Sequence, residues 1–226
     1  TGSLTSFVLA WIEEVVSEVV IVVCPTEDRA EALRNDLELV MNPKLIGLFP
    51  ALDVSRIQGK VTNLDLIGLR VEALEQLRNA SKGIVVVPFG ALMGHTIPPD
   101  LFSLSVQEVQ VGQEIAPDTI AHHLIEIGYV RVNSVDGVGQ FSIRGGIFDV
   151  CSFGNELAIR MEFWGDEIIS IRTFNLDTQR SVVKVLKAIL LPVREVVLTK
   201  TMEEEYDRRL EEAEKTFDMD FTNERD

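Results

Sequence analysis

Three histidines, two cysteines, one glycine-lysine step and a few arginine–carboxylate neighbours are the places where these 226 residues could do chemistry. His122 and His123 are adjacent on a helix predicted over 117–127, so their side chains point about 100° apart. His95 falls in a loop far away, and no metal-ligand spacing joins the three. Cys24 and Cys151 sit in apolar runs without a C-x-x-C pair, which suits two buried, reduced thiols of a cytosolic protein. Gly59-Lys60 offers the lysine of a phosphate loop, but G-x-x-x-x-G-K-[ST] also needs a glycine at 54 and a hydroxyl at 61, where this chain has Val54 and Val61. Thr1, Gly2 and Ser3 precede a predicted helix whose amides could hold an anion weakly. They bring no lysine, so no route to phosphate hydrolysis follows. Asp149 and Glu162 could meet across strands, but an acid–base dyad also needs a pocket. Paired polar-face residues are the expectation there.

The stretch that remains is GQFSIRGGIFDV (139–150) with AIRMEFWGDEI (158–168). Read with period two, Ile159, Met161 and Phe163 face a core, and Arg160, Glu162 and Trp164 share the other face. Gly145-Gly146 permits a tight turn or a bulge beside Arg144. Arg and Trp are the types most enriched where binding energy concentrates, so Arg144, Arg160, Glu162 and Trp164 read as a candidate binding face. The alternative is an idle surface on which Trp164 covers Arg160 as a cation–π pair. Turn length leaves the next strand open. A two-residue turn at Gly165-Asp166 sets Arg172 opposite Ile159, and a three-residue turn sets it opposite Arg160, where two like charges would repel.

Two kinds of scaffold must carry these residues. The first hundred residues alternate helix and strand. A helix from Leu4 leads to VVIVVC (19–24), apolar on both faces as in a buried parallel strand. Thr26 is an N-cap candidate with Glu27 and Asp28 in the first turn. Ala30, Leu33, Leu37 and Val40 form the next apolar stripe. KLIGLFP (44–50) and GIVVVP (83–88) are strands, with a helix over 64–79 between them. This order implies a parallel sheet flanked by helices. From about 105 the period changes. Pro117 and Gly128 bound a helix, and period-two segments follow at 129–135, 139–153, 157–164, 168–174 and 182–191. A strand over 193–198 and a charged helix over 201–215, with Thr201 as cap, close the pattern. The expected organisation is an α/β unit over 1–104, a small, mainly antiparallel α+β unit over 105–192, and a return segment over 193–226.

Composition narrows the functions. The chain carries 21 basic and 36 acidic side chains, a net charge of −15. Duplex binding without sequence preference draws on Lys and Arg, so direct strong nucleic-acid binding is not expected, nor is an anionic membrane. No apolar run reaches membrane-spanning length and no leader is visible, so a cytoplasmic protein is the expectation.

Residues 128–181, and above all RGGIFDV, FWGDEI and TQRS in that order, resemble the N-terminal module of the bacterial transcription-repair coupling factor (Mfd) family. They resemble the excision-repair protein UvrB less closely. LFPALD, LRVEALEQL and ILLPVREVVLT extend the likeness up to about residue 215. The resemblance implies a degenerate helicase-like, P-loop-type parallel-sheet domain with a small α+β domain inserted, and TGSLTS standing where a phosphate loop would be. It implies a non-catalytic module, without cofactor, that docks the damage-recognition ATPase UvrA. Arg144 and Arg160 fall on the family's interface arginines. Trp164 stands where phenylalanine or leucine is expected. It further implies an excised N-terminal fragment of a DNA translocase, autoinhibitory through C-terminal domains of the longer protein. UvrB itself would imply a damage-dependent ATPase instead, which the missing lysine disfavours.

Overall fold

The computed structural model describes residues 2–51, 64–155, 157–195, 204–205, 207–210 and 212. The helix–strand alternation appears as α1 (Gly2–Val15), β1 (Val19–Cys24), α2 (Glu27–Glu38), β2 (Ile46–Leu48), α3 (Leu64–Asn79) and β3 (Gly83–Pro88). The three strands form a parallel sheet in the order β1-β3-β2. β3 is buried along its whole length, as its branched apolar run requires of a central strand. Thr26 caps α2 by accepting a hydrogen bond from the Arg29 amide at 3.3 Å. Ala30 and Leu37 are buried and Leu33 is partly so, but Val40 lies beyond the helix. β1 differs from its expectation. It is an edge strand, and Ile21 and Val23 remain about half exposed. Helix α3 packs on β2 and β3, leaving that side of β1 uncovered.

A short helix that the sequence pattern did not suggest, α4 (Pro99–Leu104), leads into the second unit. There follow β4 (Gln107–Gln110), α5 (Pro117–Glu126), β5 (Val130–Arg131), β6 (Gln140–Arg144), β7 (Ile147–Cys151), β8 (Ala158–Trp164), β9 (Glu167–Phe174), β10 (Ser181–Val185) and β11 (Lys187–Leu190). Six strands make one sheet in the order β10-β9-β8-β7-β6-β5, antiparallel except for the β5–β6 pair. β11 pairs with β4 in a separate antiparallel ribbon. The segment 182–191 is therefore two strands in two sheets, divided at exposed Leu186, and 129–135 contributes a strand of only two residues. Gly128 leaves α5 with φ 100°, a conformation that glycine adopts without steric cost.

One face of the six-stranded sheet is apolar. Phe141, Phe148, Ile159, Met161 and Ile171 pack in one core with Leu124 of α5, Phe102 of α4 and Val71 of α3. That core crosses residue 105, so α3 and α4 brace the sheet from behind. A second brace is polar. The Arg70 guanidinium of α3 donates to both Glu195 oxygens at 2.5 and 2.6 Å and to the Pro50 carbonyl at 2.5 Å, and lies 3.8 Å from the Phe49 ring centre. Val193–Glu195 is a bend rather than the start of the expected strand, and 196–198 lie outside the described residues. So does Thr201; within 201–215 the described positions are helical.

Candidate functional site

The other face of the six-stranded sheet carries Arg144, Arg160, Glu162 and Trp164, in register rows that run across the strands. The first row, at the hairpin tip, is Trp164 opposite Glu167, which in turn bridges to Glu114. The second is Arg144, Ile147, Glu162 and Ser170. The third is Ser142, Asp149, Arg160, Arg172 and Lys184. Both tight turns, Gly145-Gly146 and Gly165-Asp166, lie at the tip end. Gly145 (φ 59°) and Gly165 (φ 60°) take up the left-handed backbone these turns need. At Gly146 a Cβ would come within 2.8 Å of the Phe163 carbonyl oxygen, so only glycine lets the first hairpin lie this close to β8.

The centre of the face is a carboxylate. Asp149 is 1% exposed and takes Arg160 Nε at 2.6 Å and Nη2 at 2.9 Å, and Arg144 Nη2 at 3.0 Å. A buried ionised carboxylate is tolerated only when paired and hydrogen-bonded, and two guanidinium groups supply that. The hydrogen bonds to Asp149 hold the Arg160 guanidinium above its ordinary pKa, against the opposing effect of burial. Arg160 also donates from Nη1 to the Gln179 carbonyl at 3.3 Å and lies 4.6 Å from the Phe174 ring centre. Gln179 is the sole non-glycine residue with positive φ (57°) among the described residues. Its side chain donates to the carbonyls of Val135 and Leu176 at 3.0 and 2.8 Å. Asn175 caps the same loop by accepting from the Thr178 amide and hydroxyl. The TQRS stretch thus folds a loop over Phe174, Ala158 and Cys151 and seals the inner end of the face.

The four predicted face residues have different freedom. Trp164 is 79% exposed and makes no ring or cation–π contact among the described residues. It stands four residues along the strand from Arg160, about 13 Å away, so the cation–π pairing considered from sequence does not form. The arginine stacks on Phe174 instead. The Arg144 side chain is 53% exposed and that of Arg160 17%. Glu162 faces Arg172 at 3.7 Å. Asp149 lies opposite Arg160 rather than beside Glu162, so these carboxylates form no dyad. Phe174 and Gln179 were missed as candidates, and Asp149 was considered only as a neighbour of Glu162, not as the acid that holds Arg144 and Arg160. Asp149 had a signal, a lone acid in an apolar strand, while Gln179 had none beyond the motif.

The register question has an answer that neither turn length contained. The turn has two residues, with Trp164 opposite Glu167, yet Arg172 faces Arg160. A bulge between Glu162 and Phe163 adds Ile169 on the β9 side. The cause is the spacing of Ile168 and Ile171. Both are buried, and strict alternation cannot bury residues three apart.

Apart from Cys151, which lies under the sealed inner end, the remaining candidates stand away from this face. Gly2 and Ser3 begin α1, while Thr1 and Gly59-Lys60 lie outside the described residues. Cys24 and Cys151 are buried free thiols, and burial pushes both pKa values up. Burial lowers the pKa of His123, and His95 is exposed in the other unit. Among the described residues no cluster of three or more His, Cys, Asp or Glu could hold a metal, and no helix is long and apolar enough to cross a membrane.

Comparison with known proteins points to the same unit. Residues 108–195 match the UvrB interaction domain. The chain is 32% identical over 170 residues to the transcription-repair-coupling factor of Bacillus subtilis, covering 75% of this chain and 14% of that protein. It is 32% identical over 171 residues to that of Haemophilus influenzae, covering 75% and 15%. It is 29% identical over 200 residues to that of Escherichia coli K12, covering 86% and 17%. The chain thus spans less than a fifth of the length of these curated relatives.

Proposed function

From the premise that residues 108–195 are a UvrB interaction domain, in a chain similar to transcription-repair-coupling factors, we propose that the chain is a non-catalytic docking module for UvrA. The observation that carries the reading is Trp164, a large aromatic 79% exposed at a hairpin tip and paired with Glu167 just beyond the bulge between β8 and β9. A side chain of that kind gains most by entering a partner pocket, because it brings apolar area at small entropic cost. Arg144, with half its side chain open, supplies a charge-assisted hydrogen bond to a partner carboxylate. Arg160 offers its exposed rim and positions Arg144 through the shared Asp149. Glu162 balances the charge beside them. In a coupling factor this docking would bring excision repair to stalled RNA polymerase.

The proposal extends to the flanking unit. Residues 1–104 with 193–226 are read as a helicase-like domain whose phosphate loop, at Thr1, Gly2 and Ser3, lacks its lysine. The small unit over 105–192 is read as its insertion. No ATP turnover is expected. In a longer protein, C-terminal domains contacting this module would compete with UvrA and repress it.

Titration of the chain with purified UvrA tests the reading. Trp164→Ala and Arg144→Ala are each expected to weaken binding by about 1–4 kcal/mol with an unchanged circular dichroism spectrum. Wild-type affinity in both variants would remove the assignment of this face. ATP turnover by the purified chain would favour a UvrB-like enzyme instead.

A further inference from the structure

The third row of the face carries more charge than the fold uses. Of the seven Lys and Arg side chains in residues 105–192, Arg144, Arg160, Arg172 and Lys184 stand on this one face, although the whole chain is at −15. Arg160 is neutralised by Asp149. Beyond it, Arg172 donates to the Ser170 hydroxyl at 3.3 Å and meets one acid among the described residues, Glu162 at 3.7 Å, while Lys184 makes no ion pair among them. Three cations therefore face one another in sequence across β8, β9 and β10. Like charges directly opposite destabilise a sheet.

Two irregularities create this row. The Ile169 bulge brings Arg172 opposite Arg160. A second register shift, between Ser181 and Lys184, brings Lys184 opposite Arg172, where regular pairing from Ser181 would have placed Val183. The row ends at an edge strand with exposed Val182 and Val183, open to a neighbour. The opposite end of the face, at Glu167 and Glu114, is acidic. The sign of the charge changes from the Trp164 tip to β10.

We infer that Arg172 and Lys184 form a second, electrostatic subsite of the docking face, which takes an acidic segment of the protein partner whose pocket receives Trp164. This rests on the docking reading above. The subsite supplies orientation. With its acidic segment on β10, the partner has one direction in which to reach the tryptophan. Such a contact acts on association rate and salt dependence more than on dissociation.

The test compares Lys184→Glu, Lys184→Gln, Lys184→Thr and Trp164→Ala of the full chain, titrated with UvrA at low and high salt. Lys184→Gln is expected to weaken low-salt binding about threefold to fivefold, and Lys184→Glu about tenfold with a flatter salt dependence. Lys184→Thr should weaken binding while raising the Tm of the free chain by about 1–2 °C, because it relieves the facing charges. Wild-type affinity and salt dependence in the Lys184 variants, alongside weakened binding in Trp164→Ala, would overturn the subsite and leave the docking reading standing. Undiminished binding in Trp164→Ala would overturn the reading itself. A lower Tm in Lys184→Thr makes the lysine a structural residue. Loss of duplex-DNA binding in Lys184→Glu with UvrA binding intact assigns the row to phosphates. Either of the last two outcomes ends the inference.

Discussion

Arg70 and Arg160 are built into the molecule in almost the same way, yet only one of them lies on a surface. Each forks onto both oxygens of a carboxylate, donates to a backbone carbonyl and stacks on a phenylalanine. Arg70 is sealed, with 3% of its side chain exposed, and its carboxylate Glu195 serves no other cation among the described residues. It ties α3 to the chain leaving the β4–β11 ribbon. The carboxylate of Arg160 is shared with Arg144, which is largely in solvent. The same chemical unit fastens two segments when closed. When one carboxylate is divided between a covered and an uncovered guanidinium, it aims a charge outward.

Substitutions can break this contrast or sharpen it. Arg70→Ala strands the buried Glu195 and is expected to cost about 3–5 kcal/mol in urea unfolding, by far the largest loss. Asp149→Ala leaves a partly solvated Arg160 without its acid and should cost roughly 2–3 kcal/mol. It should also weaken UvrA binding in whatever fraction remains folded, since Arg144 loses its anchor. Gln179→Ala removes the two side-chain hydrogen bonds that fix the loop over Arg160 and Phe174, a cost of about 1–2 kcal/mol by the same denaturation assay. Trp164→Ala should change stability by less than about 0.5 kcal/mol, although it is the variant expected to bind UvrA most weakly. If Trp164→Ala destabilises as much as Asp149→Ala, the division between fastening and offering fails.

The sequence was most informative where one period governs a whole element. α3 and β3 were legible to the residue, because a helical stripe and a β-branched run each have one partner surface. The buried face of β8 was legible for the same reason, and so was the exposed face that carries Trp164. What stayed hidden depends on contacts between distant segments. Arg70 reads as an ordinary helix cation until the chain returns with Glu195. Gln179 reads as loop composition until Phe174 and Arg160 lie under it. The split of 182–191 into β10 and β11 is invisible to periodicity, because one apolar-rich run covers both halves and only the choice of sheet differs. The edge position of β1 is hidden likewise, since an apolar run does not say how many neighbours the strand has.

The bulge at Ile169 has a consequence for variation in chain length. Removing that residue leaves Ile168, Ser170, Ile171 and Arg172 on the faces they already occupy, since the extra residue is the one that breaks alternation. What disappears is the added twist that a bulge gives its strand. A one-residue deletion there is thus silent for the core and for every facing pair, while the indole at the tip swings to a new bearing. Partner choice could drift by insertion and deletion at this point at the expense of one half-exposed isoleucine, with every facing pair of the contact surface unchanged.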